Sequence, residues 1–340
     1  MQNSTAVRVD NQTIYAALDL GTNNCRLLVA RANESGFRIL DAFSRIVRLG
    51  EGVTASGTLS DKAIDRTMDA LKVCKTKMLN KGVSRSRLIA TEACRIAVNG
   101  GHFVDRVYDE IGLTLEVIDR GTEAHLAAAG CLALADPDAD GVVLFDIGGG
   151  SSEVVYLDKA NGHKTNSRHG VREWISMPVG VVNMAERFGG KSLTKEGFGQ
   201  IVRYVQELLQ PFAVSLNSGA NVKRFHLLGT SGTVTTLAGV HLKLPRYDRR
   251  SVDGIWMDRS DIDGVIGNLL AMNYAELVAS PCIGQDRADL VLAGCAIFEG
   301  IRSLFPADRI RIADRGLREG ILMQMISEDA VDKRMRAVPA

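Results

Sequence analysis

The chain carries almost no net charge, which limits the partners that it can attract over a distance. Its 340 residues include 41 basic and 40 acidic side chains, so the formal net charge is +1. A protein without a strong overall field does not draw in nucleic acid or an anionic membrane surface. We therefore expect no DNA partner, and any site for an anion must be built locally.

Long apolar segments are also missing. The longest apolar run covers residues 126–135, which is about half of the roughly 20 residues that a membrane-spanning helix needs. Residues 1–10 lack the basic segment and the apolar core of a secretory signal. These two absences predict a cytoplasmic protein with no membrane span.

The cysteines and histidines show no spacing that is typical of a transition-metal site. None of the six cysteines belongs to a CxxC pair or to a closely spaced Cys/His set, which argues against structural zinc. The six histidines form no His-Asp doublet and no i,i+4 pair, so a zincin-type site is excluded. We interpret the cysteines as buried thiols in a reducing cytosol.

Length and hydrophobic pattern predict an α/β protein with two domains. The chain is longer than the size at which a single core normally stops growing. Apolar runs of strand length at residues 37–47, 87–91 and 113–118 alternate with an amphipathic helical pattern at residues 61–81. A loop-forming stretch at residues 136–141 is the predicted boundary.

Two segments of the chain resemble each other. Residues 14–24 and residues 141–151 each run from an apolar strand into Asp, one aliphatic residue, Gly and small polar residues, and a second apolar strand follows each of them. Asp19 and Asp146 occupy equivalent places, which implies two related halves. A cation between these carboxylates would relieve their repulsion, and Mg²⁺ is the natural choice because it prefers oxygen ligands.

The glycine-containing turns are candidate phosphate sites. Glycine permits positive φ and a close approach of the backbone, so N–H groups in such a turn can point at phosphate oxygens. A third turn at residues 229–233 joins a strand to a helix, and a helix N-terminus favours anions. A plain hairpin or helix cap is the alternative for any single turn, but three turns together favour phosphate.

Eight motifs carry a resemblance to a known family. They are Asp-Leu-Gly-Thr-Asn-Asn at 19–24, Arg-Leu-Gly-Glu-Gly at 48–52, Ala-Thr-Glu-Ala-Cys-Arg at 90–95, Gly-Thr-Glu-Ala at 121–124, Asp-Ile-Gly-Gly-Gly-Ser-Ser-Glu at 146–153, Gly-Thr-Ser-Gly-Thr at 229–233, Arg-Ala-Asp at 287–289 and Gly-Leu-Arg-Glu-Gly at 316–320. In this order they resemble the exopolyphosphatase and guanosine pentaphosphate phosphatase family, within the superfamily of actin, sugar kinases and heat-shock chaperone ATPases.

The resemblance implies a fold of two actin-like, ribonuclease H-like α/β domains with a cleft between them. Residues 1–136 together with residues 316–340 would form the first domain, and residues 137–315 the second. The helix after Gly316 is expected to pack on the first domain through Leu317, Ile321 and Met325. Because about 20 residues follow Gly320, the chain resembles the short form of the family.

The resemblance also implies the catalytic groups. Glu123 would be the base that orients and deprotonates water, and Thr122 stands where the family often has a further glutamate. From the residues alone, Thr122 is equally an N-cap and Glu123 a favourable first-turn carboxylate. Arg95 is the predicted guanidinium contact to phosphate, with an ion pair to Glu92 as the alternative. Arg48 is a weaker candidate.

The resemblance also implies which residues bind the metal ion and the phosphates. Asp146 and Glu153 are expected to reach Mg²⁺, with Mn²⁺ as a substitute, directly or through water; for Glu153 a solvated strand position is the alternative. The expected phosphate-binding residues are Gly21, Thr22, Asn23, Gly148, Gly149, Gly150, Ser151, Gly232 and Thr233. Three later arginines are interpreted equally as structural or as phosphate ligands: Arg287, Arg315 and Arg318.

The leading functional hypothesis is release of the terminal phosphate of inorganic polyphosphate. Removal of the 5′-terminal phosphate of guanosine pentaphosphate at the same site is the first alternative. The sequence has no aromatic cluster and no Asn-Lys-x-Asp guanine signature, which favours polyphosphate. An ATP-binding actin-like or chaperone protein and a sugar kinase are weaker alternatives. The oligomeric state stays open, a homodimer included.

Overall fold

The first half of the chain forms a five-stranded mixed sheet with helices around it. The computed structural model describes residues 13–34, 36–159, 169–219 and 224–337. The strands of the first sheet are β1 (Ile14–Leu20), β2 (Asn24–Asn33), β3 (Gly36–Ile46), β4 (Arg85–Ala90) and β5 (Glu116–Val117). The helices of this half are α1 (Val53–Ser56), α2 (Asp61–Asn80), α3 (Glu92–Ile96), α4 (Gly100–Ile111) and α5 (Arg120–Cys131).

The second half forms a six-stranded sheet. Its strands are β6 (Gly141–Ile147), β7 (Ser152–Asp158), β8 (Gly170–Met177), β9 (Phe225–Thr230), β10 (Trp256–Asp258) and β11 (Arg309–Ala313). The helices are α6 (Val181–Phe188), α7 (Lys195–Gly219), α8 (Ser231–His241), α9 (Arg249–Val252), α10 (Arg259–Ala271), α11 (Tyr274–Ala279), α12 (Val291–Leu304) and α13 (Leu317–Ala337).

The two sheets repeat one topology. The first sheet has the order β3-β2-β1-β4-β5, and the second has the order β8-β7-β6-β9-β11 with β10 added at the edge. In each, an antiparallel hairpin and a third antiparallel strand are followed by two parallel strands. The predicted internal repeat and the α/β class are therefore confirmed.

Most predicted elements lie within two residues of their observed ends. The exception is the strand predicted at residues 113–118, of which only Glu116 and Val117 pair with β4. Leu113 and Leu115 are buried in the core of the first half, which gives the segment its apolar pattern. Burial of alternate side chains thus produced the strand signal, although the backbone pairs with a neighbour for only two residues.

Two helices lie between the sheets and contact each other. Helix α5 packs on the second sheet through residues such as Ala124 and Ala128, which contact the core around Leu144. Helix α13 packs on the first sheet with its predicted apolar face, Leu317, Ile321 and Met325. The expected docking of this last helix is confirmed. The exact domain boundaries stay a prediction.

Glycine allows the backbones of α5 and α13 to touch. A Cβ atom on Gly320 would lie 1.9 Å from the carbonyl oxygen of Leu126, and one on Gly130 would lie 2.0 Å from that of Gly316. Real Cβ atoms do not approach so closely, so these positions have no room for a side chain. Glycine at these two positions therefore lets the backbones of the two helices cross in direct contact.

A bidentate ion pair also joins the two halves. Arg48 follows β3, and its guanidinium donates to both carboxylate oxygens of Asp289, at 2.8 and 3.0 Å. The N–H of Gly52 donates to Glu186 at 2.8 Å. Arg48 is thus engaged as a contact between the two halves and does not line the central cleft described below.

Among the helices described, none has the length and apolar character to cross a bilayer.

Candidate active site

Strand pairing brings Asp146 and Glu153 side by side. The two residues are directly opposite each other in the β6-β7 hairpin, and opposite residues of an antiparallel pair point to the same face of the sheet. Ser176 on β8 continues the row, and its hydroxyl donates to Oε1 of Glu153 at 2.7 Å. The turn between the two strands thus brings these carboxylates together, and Glu153 is buried rather than a solvated strand residue.

The first sheet provides a matching row. Asp19 on β1 is opposite Arg26 on β2, which is opposite Ser44 on β3. This face of the sheet is the one that α13 covers, since Ala17 and Leu28 lie on it and pack against that helix. Asp19 and Asp146 thus end equivalent strands of the two halves, as the repeat predicted.

Two of the predicted phosphate turns, at residues 21–23 and 148–151, are in direct contact. A Cβ on Gly150 would lie 2.7 Å from Oγ1 of Thr22, and one on Gly149 would lie 3.0 Å from the backbone N of Asn23. The expected positive φ is not found at Gly21 or in the second turn. Close approach between the turns, rather than an unusual φ, is what requires glycine here.

Helix α5 places Glu123 near the turn between β6 and β7 of the second sheet. The N-cap is Asp119, whose carboxylate accepts from the Thr122 N–H at 2.9 Å. The alternative interpretation of Thr122 as the N-cap is therefore wrong, because Asp119 has the extended backbone of a cap and reaches the third amide of the helix. Glu123 lies in the first turn, as predicted, and its side chain is largely buried.

A cleft of about 390 Å³ gathers most of the predicted site. It is lined by Glu123, Asp146 and Glu153 and by the expected phosphate ligands Gly21, Thr22, Asn23, Gly148, Gly149, Gly150 and Ser151. Gly232 and Thr233 line a smaller cavity of about 60 Å³ that shares Asn23 and Gly148 with the cleft. Oδ1 of Asn23 is buried without a hydrogen-bond partner among the described residues, so it can still accept a hydrogen bond from a donor.

Arg95 lines neither cavity. Its guanidinium donates to Oε2 of Glu92 at 2.7 Å and to Oε2 of Glu123 at 2.9 Å. The structure therefore contains the ion pair to Glu92 that was the alternative interpretation, and it adds a contact to the expected base. A direct contact between Arg95 and phosphate stays a prediction.

The carboxyl groups of the cleft raise one another's pKa values. Burial, followed by the charge of Asp19, raises the pKa of Asp146 to about 6. Burial, followed by the charge of Asp146, raises the pKa of Glu153 to about 7. Burial and the charge of Glu153 hold the pKa of Glu123 well above its ordinary value. This end of the cleft therefore holds carboxyl groups whose mutual repulsion the nearby arginines offset only in part.

These carboxylates suit an oxygen-preferring divalent cation. Asp19 and Asp146 are half-buried, and a cation beside them would relieve the repulsion that contributes to the raised pKa of Asp146. In the described part of the chain, no three His, Cys, Asp or Glu side chains converge as a complete metal site. Mg²⁺ commonly takes one or two protein carboxylates, waters and substrate phosphates. Asp146 and Glu153 fit that kind of partial site.

The raised pKa values predict how the stability of the metal-free protein depends on pH. When the pKa of a carboxyl is higher in the folded chain than in the unfolded chain, its contribution to stability is fully present at a pH below the unfolded pKa. The contribution is lost as the pH rises through the folded pKa. This pH range extends from 3.8 to about 6 for Asp146 and from 4.5 to about 7 for Glu153. Each contribution is on the order of 1–3 kcal/mol.

In EDTA, we expect the denaturant midpoint to fall between about pH 4 and about pH 7. Added Mg²⁺ should raise it most at the upper end of that range, where both carboxylates are ionised. Asp146→Asn is the control, because it removes one of the titrating groups and should flatten the pH dependence. A midpoint that is insensitive to pH in EDTA would contradict this account of the cleft.

Arginines also line the cleft. Arg26, Arg287 and Arg318 all line it, and no described carboxylate lies within ion-pair distance of any of them. Burial and then the charge of Arg26 lower the pKa of Arg287. Burial lowers the pKa of Arg318 as well, and the charge of Arg26 lowers it further. Guanidinium groups held together in this way suit a ligand with several negative charges.

Sequence reasoning missed Arg26 and a further internal repeat. Asp-Arg-Gly occurs at residues 119–121 and again at residues 314–316, immediately before or at the start of α5 and α13. Each helix carries a largely buried glutamate in its first turn, Glu123 and Glu319. Comparison of the segments that follow β5 and β11 would have shown the second copy.

The two glutamates have opposite electrostatic surroundings. Burial raises the pKa of Glu319, but Arg318 and Arg249 lower it more, so it is held ionised. Its oxygens accept from Arg249 at 2.7 Å and from the Gly316 N–H at 2.9 Å. Glu123 keeps a raised pKa and a single partner among the described side chains, Arg95. Glu123 is therefore the better proton acceptor of the pair.

Comparisons with known proteins agree with this arrangement. A family model described as the Ppx/GppA phosphatase family matches residues 28–329. A Ppx/GppA family member from Aquifex aeolicus is 30% identical, with a TM-score of 0.74 over 93% of this chain and 98% of that one. An exopolyphosphatase-like protein is 26% identical, with a TM-score of 0.84 over 93% and 99% of the two chains.

A third solved structure extends the likeness. An exopolyphosphatase from Cytophaga hutchinsonii is 25% identical, with a TM-score of 0.83 over 93% of this chain and 98% of that one. Similarity over nearly the whole length confirms the fold class expected from the sequence. Because the family model also spans most of the residues, the chain belongs to the Ppx/GppA phosphatase family.

Proposed function

We propose that the protein is a Mg²⁺-dependent exopolyphosphatase that releases the terminal orthophosphate of inorganic polyphosphate. The observation that carries the proposal is that one cleft is lined both by carboxylates, among them Asp146 and Glu123, and by arginines, among them Arg26 and Arg287. Substrate phosphates can contact the arginines and the glycine turns, while the carboxylates hold the cation and the attacking water. The cytoplasmic location expected from the sequence belongs to this proposal.

In the proposed reaction, Glu123 takes the proton from a water molecule whose oxygen attacks the terminal phosphorus. The bond from that phosphorus to the bridging oxygen breaks, and the shortened chain leaves with the electron pair on that oxygen. Bound Mg²⁺ would supply charge neutralisation to the phosphoryl oxygens. N–H groups of the turns at Gly21 and Gly149 and the guanidinium of Arg318 would stabilise charge on the transferred group.

Guanosine pentaphosphate is the second candidate substrate. The same phosphate-binding groups would serve it, and the family description names Ppx and GppA together as phosphatases. Two aromatic side chains, Phe43 and Tyr247, line the cleft and form no ring pair with another described aromatic residue. A base can stack on a single aromatic ring, so these side chains keep the guanosine compound as a candidate and the assay decides between the two substrates.

Phosphate release from long-chain polyphosphate, guanosine pentaphosphate and ATP tests the proposal. Each substrate is assayed with Mg²⁺, with Mn²⁺ and with EDTA. We expect rapid release from polyphosphate, loss of activity in EDTA and recovery with either ion. Release only from the guanosine compound would favour the second candidate. Release from neither would overturn both and would favour the ATP-binding or kinase alternatives.

A further inference from the structure

Glu92 is a buried carboxylate beside the phosphate turns that the proposed reaction does not use. Only 3% of its surface is exposed, and a Cβ on Gly150 of the second turn would lie 3.2 Å from its Cγ. A carboxylate is costly to bury unless opposite charges and hydrogen bonds compensate it. The partners of Glu92 therefore indicate what it does.

Both carboxylate oxygens of Glu92 are bound by arginines. Arg120, in the first turn of α5, donates from Nη2 to Oε1 at 2.7 Å. Arg95 donates from Nε and Nη2 to Oε2, at 3.0 and 2.7 Å. Burial raises the pKa of Glu92, but the hydrogen bonds from Arg120 and Arg95 lower it more. Glu92 is thus an ionised partner of two guanidinium groups rather than a free ligand for metal.

The guanidinium of Arg95 is shared between Glu92 and the expected base. Its Nη2 also donates to Oε2 of Glu123 at 2.9 Å, and its Nη1 donates to the Ile118 carbonyl at 2.5 Å. Among the described residues, Arg95 is the hydrogen-bond partner of the Glu123 side chain, and it binds Oε2 alone. Oε1 of Glu123 is therefore left for a water molecule.

We propose that Glu92 and Arg120 are positioning residues for Glu123 and act on it through Arg95. The inference rests on the proposed function, in which Glu123 is the base. A guanidinium readily forms two parallel hydrogen bonds with one carboxylate. While Glu92 holds Nε and Nη2, Arg95 contributes a single N–H bond to Glu123. Without Glu92, Arg95 can rotate into a two-bond contact that occupies both oxygens of Glu123.

Arg120 completes the arrangement from the helix that carries Glu123. It holds Oε1 of Glu92 and lies three residues before the base in α5. The loop of contacts thus runs from α5 through Arg120, Glu92 and Arg95 and returns to α5 at Glu123. Arg120 orients Glu92, Glu92 orients Arg95, and Arg95 in turn orients the carboxylate of Glu123.

The first test is Glu92→Gln, which keeps the shape but removes the charge. We expect kcat for phosphate release from polyphosphate to fall about 10-fold to 100-fold, the loss typical of a misplaced catalytic group. KM should change by less than about threefold, because the substrate phosphates contact other residues. Arg106→Met is the matched control, because it breaks an exposed arginine–glutamate pair with Glu110 on α4, and its kcat should equal that of the wild type.

The second test uses Arg120, whose side chain is 41% exposed and therefore tolerates replacement. Arg120→Met should lower kcat by a smaller factor than Glu92→Gln, and Arg120→Lys should recover part of the loss. The double variant Glu92→Gln/Arg120→Met should have the kcat of Glu92→Gln alone, because Arg120 acts through Glu92. In a Glu123→Gln background, Arg120→Met should leave the residual rate unchanged.

The outcomes separate this inference from the function on which it rests. If wild type is active and Glu123→Gln is not, but the Glu92 and Arg120 variants keep wild-type kcat, the positioning inference is wrong and the function stands. Multiplicative losses in the double variant would also overturn it. If wild type releases no phosphate from any substrate, both the function and the inference are overturned. Should Glu92→Gln not fold, the Arg120 series still decides.

Discussion

Glu123→Gln is expected to lower kcat for phosphate release by about 10²-fold to 10⁴-fold, the usual contribution of a positioned general base. The amide keeps the size of the carboxylate and can still accept from Arg95, but it cannot take a proton from water. KM should stay close to the wild-type value, because binding depends on the arginines and glycine turns. Steady-state assays on polyphosphate with Mg²⁺ measure both constants.

Glu116→Gln provides the matched control for this substitution. Glu116 lies on β5, just before α5, and its exposed carboxylate accepts from Arg87. The same chemical change there should leave kcat and KM unaltered. Near-wild-type turnover of Glu123→Gln would show that another group accepts the proton, and Glu153, whose pKa is also raised to about 7, would be examined next.

Gly320→Ala is expected to lower the free energy of unfolding by about 3 kcal/mol, at the upper end of the usual cost of overpacking. Its Cβ would lie 1.9 Å from the carbonyl oxygen of Leu126, which belongs to the backbone of α5 and cannot rotate away. The two helices must therefore separate, and the contacts of both with their sheets must shift. Denaturant titration followed by circular dichroism measures the loss.

Gly267→Ala is the control for this second prediction. Gly267 lies in α10, is exposed, and would place a Cβ where no atom lies within 4 Å. Alanine there should stabilise the helix by up to about 1 kcal/mol, since it favours the helical backbone more than glycine does. Equal stability of Gly320→Ala and wild type would mean that α5 and α13 do not cross as closely as described.

Local signals in the sequence were enough to predict the two hairpins. Alternating apolar residues, a terminal Asp and a glycine turn all lie within about ten residues, so the equivalence of Asp19 and Asp146 could be seen without a fold. The same signals could not rank Asp119 and Thr122 as N-caps, because both residue types favour that position. The choice depends on the backbone conformation of Asp119.

Residues that are distant in the sequence carried the information that sequence reasoning missed. Arg26 meets Arg287 and Arg318 only because β2, the segment before α12 and α13 converge on one cleft. The later two arginines lie in motifs and were candidates, whereas nothing near Arg26 in the sequence distinguishes it from a surface arginine. The paired role of Arg95 was likewise undecided, because its contacts with Glu92 and Glu123 depend on how α3 meets α5.

The exchange of helices between the two sheets means that neither half of the chain is a self-sufficient folding unit. The second sheet is covered by α5, which the first half supplies, and the first sheet is covered by α13, which comes at the end of the second half. A fragment cut near residue 136 would expose Tyr15 and Leu28 in one piece and Leu144 and Val155 in the other. Each half of the chain therefore ends in a helix that completes the core of the other half, α5 for the second sheet and α13 for the first.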